Sequence, residues 1–89
     1  MSTQELEEVE LKKQVVQERE LILHNDDFNT FEHVINCLVS YCEHKEIQAE
    51  QCAYIVHHNG KCSVKKGPKS ALEPIYMALQ LQNLKVEIK

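Results

Sequence analysis

The stretch Leu21-Ile22-Leu23-His24-Asn25-Asp26-Asp27-Phe28-Asn29-Thr30-Phe31 decides the reading of this chain. Three successive apolar residues suit a strand that is not at a wet edge. The run stops at three side chains rich in oxygen, Asn25, Asp26 and Asp27. An N-cap candidate follows at Asn29 or Thr30. From Phe31 the apolar residues recur at helical spacing. The stretch therefore predicts a strand over 19–24, a polar loop, and a helix.

Downstream, Phe31, Val34, Ile35, Leu38, Val39 and Cys42 define the apolar stripe of that helix. His44-Lys45-Glu46 breaks it without Gly or Pro. A second helix is expected from Ile47 to His57, with Ala49, Cys52, Ala53 and Val56 on one face. Asn59-Gly60 ends it, Gly60 being suited to a left-handed turn. Residues 61–67 alternate weakly around Cys62 and Val64 and predict a second strand. After Gly67-Pro68, Ser70 and Glu73 form a capping-box pattern, with Pro74 expected in the first turn. Leu72, Ile75, Tyr76, Leu79 and Leu81 are the expected buried face of this third helix, closed by Asn83. Leu84, Val86 and Ile88 then alternate with charged residues as a half-buried strand. The order β-α-α-β-α-β points to an α+β fold, a small three-stranded antiparallel sheet with three helices on one face.

A chain of 89 residues has room for one domain that buries roughly 60–65% of its unfolded surface, too little for a deep enzyme cleft. The one composition shift falls near residue 18. It separates a flexible N-terminal extension, 1–18, from a core domain, 19–89. The net charge is -4, with nine lysines and a single arginine, Arg19. That balance argues against nucleic acid, which needs a basic face. No apolar run approaches the roughly 20 residues of a membrane span, and the acidic N-terminus lacks an apolar signal core. A cytoplasmic protein is expected. The cysteines, Cys37, Cys42, Cys52 and Cys62, are separated by five, ten and ten residues. They show no zinc-ligand spacing, and without a secretion signal they read as free thiols. Cys52 with His57 could form a nucleophile pair, but no signature surrounds it. The chain reads as a binding protein, with no cofactor, no metal and no enzymatic activity.

Asn25, Asp26 and Asp27 after the first strand and His57 near the end of the second helix could converge. If they do, they present an amide oxygen, carboxylates and an imidazole nitrogen. A primary ammonium offers three N–H donors and one positive charge, which such acceptors complement. Phe31, Ala53 and Val56 would then supply an apolar hole beside them. Residue by residue, each group also has a plain role: a loop and cap cluster, a helix-end imidazole, ordinary core. Two functions stay open at this point, recognition of a free N-terminus and docking of a partner by the same fold without it.

Leu21-Ile22-Leu23-His24-Asn25-Asp26-Asp27-Phe28, with Val56-His57-His58-Asn59-Gly60 following at a spacing of 30 residues between Asp27 and His57, resembles the ClpS family. The likeness runs without a gap from about Glu20 to Lys61, and the terminal Leu84-to-Ile88 strand fits as well. The resemblance implies a fold akin to the C-terminal domain of the ribosomal stalk protein. It implies an adaptor, acting as a monomer, that recognises N-degrons, proteins with a bulky hydrophobic first residue. Their destination would be a Clp AAA+ unfoldase of the ClpA or ClpC type. It also implies that Asn25, Asp27 and His57 hold the α-amino group with Asp26 assisting. Phe31, Ala53, Val56 and Leu84 would form the side-chain pocket, and residues 1–18 would serve in delivery.

Overall fold

A computed structural model describes residues 17–89; most of the expected extension, residues 1–16, lies outside the described residues. β1 (Arg19–His24) leads to α1 (Phe31–Cys42) and α2 (Glu46–Asn59). β2 (Lys61–Gly67), α3 (Lys69–Leu81) and β3 (Lys85–Ile88) complete the order. The sheet is antiparallel with strand order β2-β1-β3. β1 is therefore central, as its unbroken apolar run requires. Leu21 and Leu23 are fully buried and join Leu38, Cys42, Ala49, Val56, Leu72 and Leu79 in one core. On the other face Lys66 lies beside Glu20, and His24 Nε2 meets Glu87 Oε1 at 2.7 Å. An irregularity in β1–β2 pairing sets Leu21 against Lys65 and Ile22 against Ser63. The extra residue, Val64, is buried in the core.

Thr30 is the N-cap of α1: its Oγ1 accepts from the His33 amide at 3.1 Å. The stripe of α1 is rotated from the expected one. Cys37 is buried, whereas Val39 is 40% exposed. α1 packs against both other helices, which draws the Cys37 side inward. The break after α1 is made by Glu43 in the left-handed region (φ 59°). His44 is buried behind it, its Nε2–H donating to the Val64 carbonyl at 2.6 Å. Glu46, expected in the break, already belongs to α2.

α3 departs from expectation in three places. It starts at Lys69, and its N-cap is Pro68, whose carbonyl accepts from Ala71 and Leu72. Ser70 lies inside the first turn and does not cap. Pro74 therefore sits beyond the first turn, where its missing N–H removes the helical bond the Ser70 carbonyl would otherwise accept. Leu81, expected on the buried face, is 81% exposed at the last helical position. A left-handed Asn83 (φ 65°) then turns the chain into β3.

Candidate functional site

One backbone hydrogen bond brings the two halves of the site together. The Asn25 amide, just past β1, donates to the Gly60 carbonyl at 2.8 Å. Gly60 adopts φ 90° and closes α2 through its amide to Val56 at 2.9 Å. The loop 25–30 is thereby fixed beside the last turn of α2, which carries His57. A cavity of about 330 Å³ lies between them. Asn25, Asp26, Asp27 and His57 line its polar side; Phe31, Ala53 and Val56 line its apolar side. Ala53 and Val56 are buried, and Phe31, 46% exposed, stands at the rim. The Phe31 and His57 rings pack at 5.2 Å between centroids.

The two aspartates differ. Asp26 Oδ1 accepts from the Phe28 and Asn29 amides at 2.9 and 2.8 Å, and Oδ2 accepts from Asn29 Nδ2 at 2.7 Å. Burial pushes the Asp26 carboxyl up, but these donors together outweigh it and hold the group below its ordinary value of 3.8. A carboxylate with a depressed folded pKa adds stability above its unfolded value and loses it as pH falls through the folded one. Hence the stability gap between the protein and its Asp26→Ala variant should narrow on acidification from about pH 5 to about pH 3. Thermal unfolding across that range measures it. Asp27 is exposed. Among the described residues no protein hydrogen bond engages the side chains of Asn25, Asp27 or His57.

Leu84 is not brought to the cavity. It is buried in the core, held where its amide meets the Leu79 carbonyl at the end of α3. Asn29, Thr30 and Val34 do line the cavity. Val34 was legible as the residue one turn after Phe31 on the same helix face. Asn29 and Thr30 gave only capping signals. Among the described residues the lining carries two carboxylates and no lysine or arginine.

Cys52 does not line the cavity, although its neighbour Ala53 does. Burial, with a hydrogen bond to the Cys62 thiol, pushes the Cys52 thiol up to about 12. Burial takes Cys42 to about 11. Such thiols hold almost no thiolate at neutral pH, which makes them poor nucleophiles. No group of three His, Cys, Asp or Glu among the described residues is placed to hold a metal ion. No described helix is long and apolar enough to cross a membrane.

Residues 14–87 match the family described as ATP-dependent Clp protease adaptor protein ClpS. Curated relatives named ATP-dependent Clp protease adapter protein ClpS include those of Thermosynechococcus vestitus and Nostoc sp. The first is 39% identical over 54 residues, 60% of this chain and 57% of the relative. The second is 37% identical over 65 residues, 72% of this chain and 67% of the relative. The chain thus spans about three-fifths to two-thirds of the length of these relatives. Among solved structures, Agrobacterium tumefaciens ClpS2 bound to L-phenylalaninamide shares the fold. Its TM-score is 0.76 at 19% identity, covering 82% of this chain and 95% of that one. The match over residues 14–87, together with these relatives, places the chain in the ClpS family of ATP-dependent Clp protease adaptors.

Proposed function

We propose that this protein is an N-degron adaptor. It binds proteins with a bulky hydrophobic first residue, Leu, Phe, Tyr or Trp, and delivers them to a Clp AAA+ unfoldase–protease of the ClpA or ClpC type. The observation that carries the reading is the cavity itself, with the acceptors of Asn25, Asp27 and His57 unengaged among the described residues on one side and an apolar hole on the other. Its volume of about 330 Å³ exceeds the roughly 150 Å³ that accommodates benzene in an apolar protein cavity. A free peptide α-amine, with a pKa of about 7.7–8.0, is mostly protonated at neutral pH. Asn25 Oδ1, the Asp27 carboxylate and a neutral His57 nitrogen accept its three N–H bonds, one each. The first side chain enters among Phe31, Val34, Ala53 and Val56. The fold neighbour's ligand, L-phenylalaninamide, has this chemistry: a free α-amine and an aromatic side chain.

The protein acts as a monomer in the cytoplasm and catalyses nothing itself, with residues 1–18 as the delivery arm and 19–89 as the binding domain. The raised cysteine pKa values support the non-enzymatic reading. Fluorescence anisotropy with free-amine peptides differing only in the first residue tests the proposal. Phe and Leu should bind at micromolar or better, and Gly and Glu should not. Equal affinity for all first residues contradicts the reading.

A further inference from the structure

Asn29 joins two parts of the molecule that are 54 residues apart. Its Nδ2 donates to Asp26 Oδ2 at 2.7 Å and to the Asn83 carbonyl at 2.9 Å. One turn later on the same side of α1, His33 Nε2–H donates to the neighbouring carbonyl, Gln82, at 2.9 Å. Those two carbonyls are presented by the turn between α3 and β3, where Asn83 takes φ 65°. The loop is therefore held at both ends, by Asn25 to Gly60 and by Asn29 to Asn83. Between the anchors, the side chains of Asp27 and Phe28 make no hydrogen bond among the described residues, and Phe28 is 94% exposed.

We propose that Asn29 is a positioning residue for the amino-group site, its carboxamide latching the Asp26–Asp27 loop to the α3–β3 turn and so fixing where Asp27 stands. This rests on the N-degron reading. The carboxamide fits the task because it supplies two N–H donors, and both acceptors are oxygens. A hydroxyl at this position could serve only one of them. A carboxylate could serve neither, and it would face Asp26 with like charge.

The test is binding of a free-amine Phe peptide to the wild-type protein and to Asn29→Ala, Asn29→Asp and Asn83→Gly, with thermal unfolding alongside. Asn29→Ala should weaken binding about tenfold, because the loop loses both carboxamide bonds and ordering it then falls to the binding step. The loss should be the same at pH 7.5 and pH 5. Asn29→Asp should weaken it further at pH 7.5, and its ratio to wild type should narrow by pH 5. Of two carboxylates sharing a site, one has a raised pKa, and once protonated it can donate again. Taking the ratio to wild type cancels any pH effect common to both proteins. Asn83→Gly keeps both the carbonyl and the left-handed turn, so it should bind within twofold of wild type. The Asp26 carboxyl, followed by NMR, should titrate higher in Asn29→Ala than in wild type, which reports loss of the Nδ2 donor in a folded protein. Binding by both Asn29 variants within twofold of wild type overturns the latch, as does an Asn29→Asp loss that does not change with pH. Absence of binding by the wild-type protein itself overturns the N-degron reading, and the latch with it.

Discussion

Replacing Asp27 with Ala should lower affinity for a peptide with a free N-terminal Phe roughly a hundredfold, and replacing His57 with Ala roughly tenfold. In the proposed function each would supply an acceptor to an ammonium in the cavity they line, and no protein hydrogen bond among the described residues engages either side chain. A hydrogen bond to a charged group contributes about 1.5–3 kcal/mol. The upper end applies to Asp27, whose charge also balances the ligand, and 3 kcal/mol is roughly a hundredfold. Both side chains are exposed, so the fold should be unaffected, with thermal midpoints within a few degrees of wild type. Asp26→Ala should behave differently. Its carboxylate is bonded to Phe28 and Asn29, so the loss should appear in stability as well as in binding. Parallel anisotropy and unfolding curves for the three variants separate the roles. An Asp27→Ala protein that binds as tightly as wild type would remove Asp27 from the site.

The largest effect on stability should come from Leu38→Ala. Leu38 is 0% exposed in the core that joins α1 to β1 and α3. Truncating a buried leucine costs about 2–5 kcal/mol, the lost transfer energy plus the cavity left behind. A small domain is stable by only about 5–15 kcal/mol in total. At about 4–8 °C per kcal/mol for this size, a 3 kcal/mol loss lowers the melting temperature by roughly 12–24 °C. Val39→Ala, one residue on and 40% exposed, should cost under about 1 kcal/mol. Thermal denaturation of the pair measures the contrast. A loss at Val39 equal to that at Leu38 would contradict the observed rotation of the stripe.

The local pattern revealed the elements better than their ends. Leu21 to Leu23 read as a strand away from a fully wet edge, and it is the central one, flanked on both sides. The end of α2 was legible at Gly60, since a left-handed turn favours glycine. The end of α1 was less so: Glu43 takes the left-handed conformation without being glycine, and it is held there by His44 docking onto Val64, 20 residues away. The start of α3 misled. Ser70 and Glu73 carry the capping-box pattern, yet the helix begins at Lys69 because Pro68 already stands as N-cap with its carbonyl accepting the first amides.

The site was half legible for a related reason. Asn25, Asp26, Asp27 and His57 could be named as acceptors, but nothing in their spacing brings residue 25 to residue 60. The long-range bond from the Asn25 amide to the Gly60 carbonyl does that. Leu84 shows the converse: an apolar residue at a strand start can face a pocket or the core with the same periodicity, and the Leu79 carbonyl holds it in the core. Asn29 gave only a capping signal, since its partner at Asn83 lies 54 residues on.

The proposed function requires the cavity to read a free α-amino group. The most direct measurement compares one labelled peptide beginning with Phe and its N-acetylated twin, titrated by anisotropy at pH 7.5. Acetylation removes the charge and two of the three N–H donors while keeping the side chain. The free peptide should bind at micromolar or better and the twin at least a hundredfold more weakly. Equal binding of the two would contradict the claim, leaving the fold as a docking domain that does not read an N-terminus.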